Sequence, residues 1–189
     1  LGTGARRSEG LALAWNDLDL DRGRVSIRSS LEHVRKGGMR RKEPKTRAGR
    51  RSATLSPWLI AELRSHRLRQ QELRLQLGMG RLPDDAPVFG RWDCSWRTPN
   101  SVSAAWSRLA ADLGFPEITL HALRHTHVSS LIASGADVVT VSRRIGHANP
   151  SITLDIYSHL FGNTDQVAAD ITEAMFRKAA GGNPVAKPE

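Results

Sequence analysis

The sequence predicts an α+β fold, mainly α-helical, with a small antiparallel sheet of about three strands near the N-terminus. Three observations point there. Arg24-Val25-Ser26-Ile27-Arg28 alternates polar and apolar residues, as a half-buried strand does. Glycine-bearing turns at Gly37-Gly38 and Ala48-Gly49 punctuate the segment that follows. Beyond Pro57, stretches of helical spacing alternate with short breaks at Gly, Pro and Asn.

In chain order, Thr3 to Trp15 reads as a helix, with Leu11 and Trp15 at i and i+4 and Glu9 early. Asn16-Asp17-Leu18-Asp19 breaks it. After the Arg24 strand come two further candidate strands, near Glu43 to Thr46 and near Arg51 to Leu55. Pro57 suits a first helical turn, because its missing N–H would be unpaired there anyway, and that helix should reach about Leu77. Gly78 to Asn100 reads as a long connection with a buried piece at Val88-Phe89. Helices are then expected over Ser101 to Leu113, His121 to Ser134, Asp137 to Ile145, Pro150 to about His159, and Asp165 to Ala179. The tryptophans are expected in the core. Residues 1–176 are read as one domain and 177–189 as a C-terminal tail. The chain opens inside a motif without an initiator Met, which reads as a piece of a longer protein.

The 189 residues allow one domain with a real core. Lys and Arg outnumber Asp and Glu by 28 to 19, a net charge of +9. Such a charge attracts polyanions. Nucleic acid is the leading partner, since the basic residues are scattered rather than gathered on one amphipathic helix for a membrane surface. Cys94 is the only cysteine, so no internal disulfide or Cys-based zinc cage exists, which suits the cytoplasm. No apolar run is long enough to span a membrane.

Tyr157 is the only tyrosine, within Thr153-Leu154-Asp155-Ile156-Tyr157-Ser158-His159. A lone tyrosine is more often a packed residue than a reagent; its company raises its interest. Upstream, His121 and Arg124 lie three apart and share a helix face, an arrangement suited to an anion because guanidinium forks match phosphate oxygens. A solvated helix face is the plainer reading. Gly146 can end a helix in a left-handed conformation, leaving His147 at a chain reversal with its ring free to enter a cleft. Arg6 and Glu9, also three apart, are either an ordinary surface pair or a carboxylate holding an arginine for a ligand.

Together, Thr3-Gly4-x-Arg6-x-x-Glu9-x-x-x-Leu13-x-Trp15-x-Asp17-x-Asp19, His121-x-x-Arg124, Ile145-Gly146-His147 and Tyr157-x-His159 resemble the tyrosine recombinases, most closely integrases of phages and integrative elements. The resemblance covers Leu1 to about Phe176. It implies an integrase-like catalytic domain whose N-terminal, DNA-clamping partner lies outside this chain. It also implies that Arg6 and Arg124 bind the non-bridging oxygens of a scissile phosphate, with His121 and His147 completing the pocket and Glu9 supporting it. Tyr157 would be the nucleophile, forming a 3′-phosphotyrosyl intermediate, with His121 helping to remove its proton and His147 donating to the phosphate. The family's hairpin lysine, the general acid, would be Lys45, with Lys42 as the fallback. Strand exchange and religation for DNA integration and excision would then need no metal, no other cofactor and no ATP. Arg35, Lys36, Arg40, Arg41, Arg47, Arg50 and Arg51, clustered at the hairpin turns, are expected on the backbone of double-stranded DNA at attachment sites. The family also implies a homotetramer on synapsed DNA, the chain alone being monomeric, in a bacterial cytoplasm.

Three other readings share parts of this pattern. A type IB topoisomerase uses a similar pocket but relaxes supercoils as a monomer. A metal-dependent hydrolase could use His121, His125 and His127, although Arg124 inside that cluster would repel a cation. A decayed integrase would grip DNA without cutting it.

Overall fold

The computed structural model describes residues 2–34, 37–44, 49–160 and 164–179. The first helix, α1, spans Arg7–Leu11, much shorter than the spacing of Leu11 and Trp15 suggests. Those two side chains enter different clusters: Leu11 joins Ala12 and Leu31, whereas Trp15 joins Val25, Ile27 and Val88. The backbone turns between them so that the Trp15 N–H donates to the Ala86 carbonyl at 3.0 Å. Tertiary pairing here outweighs a local helical period.

Strands β1 (Leu18–Asp19), β2 (Arg24–Ile27) and β5 (Arg51–Thr54) form an antiparallel three-stranded sheet in the order β1-β2-β5. Val25 faces Ala53 and Ile27 faces Arg51 in its register. Between β2 and β5, β3 (Ser30–Val34) and β4 (Gly38–Lys42) make a separate hairpin. Of the strand expected near Glu43 to Thr46, Glu43 and Pro44 follow the end of β4 at Lys42 without strand pairing, and Lys45 and Thr46 lie outside the described residues. The hairpin carries Arg40, Arg41 and Lys42 and packs through Leu31, its one buried apolar residue among those described, against Leu11 and Ala12.

Helix α2 (Pro57–Gln76) starts with the Ser56 hydroxyl accepting the Leu59 N–H at 3.3 Å and closes the sheet's core with Leu59, Ile60 and Leu63. Its far end organises the long connection. The Arg74 guanidinium, buried, donates to the Met79 carbonyl at 2.8 Å, and Gln70 donates to the Val88 carbonyl at 3.1 Å. Val88 is fully buried, but Phe89 is 43% exposed. The tryptophans divide likewise: Trp15 is core, whereas Trp58 and Trp92 are 71% and 56% exposed, so the expectation that all are core is corrected.

The C-terminal half is helical. Helices α3 (Pro99–Asp112), α4 (Leu120–Ala133), α5 (Val138–Ile145) and α6 (Pro150–Tyr157) open on the side chains of Thr98, Thr119, Asp137 and Asn149, each accepting a first-turn N–H. A second core of Val128, Ile132, Val141, Ile145 and Tyr157 holds α4, α5 and α6 together. Arginines stitch this half to the sheet. Arg51 Nε on β5 donates to the Arg144 carbonyl at 2.9 Å, and Arg144 Nη2 donates to the Gly2 carbonyl at 2.8 Å. Last comes α7 (Thr164–Ala179), whose Ile171, Met175 and Phe176 are exposed. No helix among the described residues is long and apolar enough to cross a membrane.

Candidate active site

The site lies along the seam between the two cores. On the sheet side, Gly4 precedes α1 with φ +63°, a conformation that favours glycine. A Cβ there would come within 2.8 Å of the His127 ring. The Gly4 carbonyl accepts from Arg124 Nη1. Arg124, on α4, is 7% exposed, and its Nη2 donates to the Ile145 carbonyl at 2.8 Å. These bonds use two of the five donors of a guanidinium and fix its plane relative to both halves. Burial and the neighbouring charges of Arg6 and Arg51 push its pKa down to about 10, with Glu9 and Tyr157 opposing. Arg124 therefore stays cationic.

Arg6 immediately precedes α1. Glu9 reaches back to its backbone N–H at 2.8 Å and accepts from its Nη1 at 2.9 Å. Glu9 is itself clamped by Arg51, whose Nη2 reaches Oε2 at 2.8 Å and Nη1 reaches Oε1 at 3.3 Å. Glu9 thus ties Arg6 to β5. Burial alone would raise the Glu9 pKa; the hydrogen bond and charge of Arg51, with the backbone N–H and guanidinium of Arg6, outweigh that and hold it below the usual range.

That clamp corrects one expectation. Arg51 does not stand on the surface as a contact for a DNA backbone: its side chain is 6% exposed and saturated by Glu9 and the Arg144 carbonyl. It also explains Gly146, which caps α5 at φ +72°, because a Cβ there would lie 2.6 Å from Arg51 Nη1. His147 follows at the reversal between α5 and α6. Its Nδ1 lies 3.0 Å from the hydroxyl of Thr153, which is fully buried on α6. Burial, then the charges of Arg124, Arg6 and Arg51, with a smaller contribution from His125, push the His147 pKa down to about 4. His147 therefore sits within reach of the charges of Arg6, Arg51 and Arg124, which come from separate segments of the chain.

Arg6 lines two adjoining clefts. One, of about 410 Å³, also touches Glu9, Gly146 and His147; the other, of about 520 Å³, also touches His121 and Arg124. Tyr157 lines neither of them and is 5% exposed at the end of α6. Burial raises its pKa, with the Arg124 charge partly offsetting.

The hydroxyl's partner was not anticipated. His125 Nδ1, not His121, meets Tyr157 Oη. His121 is exposed, and its ring packs edge-on against His125 with centroids 4.6 Å apart. The expectation that His121 meets the phenol is thus corrected to its neighbour one helical turn on. Helical spacing from His121 was the available signal, since both residues share one face of α4.

On the hairpin, Arg40 and Lys42 both reach Glu32, and Arg50 pairs with Glu43, all at the surface. Arg41 points inward to Asp17, an almost fully buried carboxylate that also takes Arg28. Lys45, Arg35, Lys36 and Arg47 lie outside the described residues. Among the described residues, no group of three or more His, Cys, Asp or Glu side chains is placed to hold a metal ion.

A family model described as the phage integrase family matches residues 1–163. The chain is 30% identical to a tyrosine recombinase XerC-like protein of Caldanaerobacter subterraneus subsp. tengcongensis, over 93% of this chain and 47% of that protein. It is 32% identical to the ICEBs1 integrase of Bacillus subtilis, over 89% of this chain and 45% of that protein. The chain thus spans about half the length of these relatives. In structure it is similar to the Tn1549 transposon integrase solved with transposon right end DNA (TM-score 0.72, 22% identity, 91% of this chain and 55% of that one). It is also similar to XerA recombinase (TM-score 0.60, 24% identity, 91% of this chain and 54% of that one). These likenesses establish the fold.

Proposed function

The chain belongs to the phage integrase family, and from that premise we propose that it is the catalytic domain of a site-specific DNA recombinase that cuts and rejoins DNA through Tyr157. The observation that carries this reading is the gathering of Arg6, Arg124 and His147, from three separate segments, around two adjoining clefts, with the only tyrosine of the chain meeting His125, the residue next to Arg124. A phosphodiester repels nucleophiles, and negative charge grows on its equatorial oxygens during attack. Preorganised guanidiniums meet that charge, and one such donor is typically worth on the order of 10²–10³ in rate.

Attack by Tyr157 Oη on phosphorus forms an Oη–P bond as the P–O5′ bond breaks, leaving a 3′-phosphotyrosyl link. The 5′ oxygen leaves with a proton, for which Lys45 remains our proposed donor. One phosphoester replaces another, so a 5′ hydroxyl from a second strand can reverse the step without ATP. His147, neutral in the DNA-free chain, serves as a hydrogen-bond donor. With the Thr153 hydroxyl donating to Nδ1, Nε2 carries the hydrogen that the phosphate receives. Thr153→Val is expected to slow cleavage on the order of 10–100-fold by releasing that ring, and Thr153→Ser to restore it; single-turnover rates decide this, equal rates in Val and Ser variants counting against the role.

Double-stranded attachment-site DNA is the proposed substrate, approached by the exposed Arg40 and Arg50, whose surface ion pairs are weak enough to yield to phosphate. The exposed Ile171, Met175 and Phe176 of α7 support assembly of protomers, proposed as a homotetramer on synapsed DNA, in a bacterial cytoplasm. The test is covalent trapping. The protein is mixed with a pool of nicked duplexes with randomised centres, quenched in detergent, and digested with trypsin. The DNA-bearing peptide should be Ile145 to Arg177, modified at its one tyrosine through a 3′ phosphate. An adduct on another residue, or cleavage with no adduct, would overturn the reading.

A further inference from the structure

We propose that His125 is a catalytic residue of this site: its Nδ1 takes the proton of Tyr157 Oη during attack on the phosphodiester and returns it during religation. This rests on Tyr157 being the nucleophile. The geometry is direct. Among the described residues Tyr157 Oη meets one partner, His125 Nδ1, and the two ring centroids lie 5.7 Å apart at a 46° tilt. The phenol is buried in an apolar cluster with Val128, Ile132, Val141 and Ile145, so its hydrogen points at His125 Nδ1. His125 then holds its own hydrogen on Nε2.

The surroundings keep the base free of its proton until it is used. Burial first, then the nearby His121 and Arg124, hold the His125 pKa below its ordinary value. His121 and Arg124 face it from its own helix, Tyr157 from α6 and His147 from the reversal before α6. His159, in the turn packed on α4, is exposed. At rest, transfer from a phenol of raised pKa to an imidazole of lowered pKa is uphill, so Tyr157 stays protonated and unreactive. A scissile phosphate beside Arg6 and Arg124 changes that balance, since its negative charge offsets the Arg124 charge that disfavours the His125 imidazolium. Attack also drains charge from the phenol oxygen onto phosphorus. The balanced step moves the proton from Oη to Nδ1, forms Oη–P and breaks P–O5′, the 5′ oxygen gaining its proton from a separate cationic donor. On religation the His125 imidazolium gives the proton back to the departing phenolate.

With one tyrosine in the chain, protein labelled at tyrosine Cζ with carbon-13 gives a single resonance from Tyr157. In DNA-free protein its shift should step as His125 titrates, below the usual histidine range, and His125→Asn should remove the step. Covalent adduct formation on the nicked duplex pool should fall by about 10²–10⁴ in His125→Asn and His125→Ala, the usual worth of a positioned base. Added imidazole should restore His125→Ala but not His125→Asn, which leaves no space for it. The variants should also lose the acid limb of the wild-type rate profile and climb with hydroxide instead. Adduct formation by His125→Asn within threefold of wild type, or a Tyr157 resonance blind to the His125 ionisation, would overturn the proposal. Tyr157→Phe separates the two readings: no adduct in that variant with a full rate in His125→Asn removes only the base, whereas an adduct in both removes the nucleophile as well.

Discussion

Tyr157→Phe is expected to reduce covalent adduct formation to background while leaving DNA affinity within about twofold and the fold almost undisturbed. The argument is one of size and position. Phenylalanine keeps the ring that fills the cluster of Val128, Ile132, Val141 and Ile145 and removes only the oxygen. The loss of one hydrogen bond to the partly buried His125 should cost about 1 kcal/mol, which for a chain this long lowers Tm by about 2–4 °C. Alanine at the same position would empty the cluster at about 3–5 kcal/mol, and its failure to react would say nothing about chemistry. Affinity should persist because it rests on cationic contacts with phosphates, none of which involves the phenol. The check is an adduct assay in detergent beside a binding titration at two salt concentrations, since backbone contacts weaken as salt rises. An adduct formed by the phenylalanine variant would remove Tyr157 from the mechanism. Loss of affinity together with the adduct would mean that the hydroxyl binds DNA rather than attacks it.

Much of this arrangement was legible because the motifs fix spacing along helices, and helices transmit spacing faithfully. His121, Arg124 and Tyr157 fall on helices, and Gly146 ends α5 in the left-handed turn that its sequence context suggests. Contacts between elements were not legible. Leu11 and Trp15 have helical spacing yet separate into two clusters, because Trp15 pairs with the distant Ala86. Arg51 looks like its basic neighbours in sequence, but strand register turns it inward opposite Ile27 and beneath α5, where it meets Glu9. Arg41 also reaches the buried Asp17, although its own side chain stays 35% exposed. The partner of Tyr157 depends on how α4 packs on α6, and a shift of one helical turn along α4 decides between His121 and His125. Trp58 and Trp92 show the limit of composition, since a large apolar side chain carries no mark of which face it will occupy.

The second large effect concerns that inward arginine. Glu9→Ala should destabilise the chain by about 3–5 kcal/mol, because it leaves the Arg51 guanidinium, 6% exposed, as a buried charge without its carboxylate. Glu9→Gln keeps the shape and part of the hydrogen bonding and should cost less. The acid limb of stability separates charge from shape. The folded Glu9 pKa lies below its ordinary value of 4.5, so the native state binds this proton less readily than the unfolded chain does. Its contribution is therefore complete above the unfolded pKa and is lost as pH falls through the folded pKa. Wild type should lose stability between pH 5 and the depressed value more steeply than Glu9→Gln, by about one proton in the slope; parallel slopes would mean that Glu9 is not held as a carboxylate. Stability and chemistry can also be separated. Glu9→Leu with Arg51→Met replaces the pair by apolar groups of similar length, which commonly recovers stability. That double variant should regain much of the lost Tm yet remain slow in adduct formation, because Arg6 has lost the carboxylate that holds its guanidinium and its backbone N–H. Recovery of the full rate along with the Tm would show that Glu9 supports the fold alone and that Arg6 finds the phosphate without it.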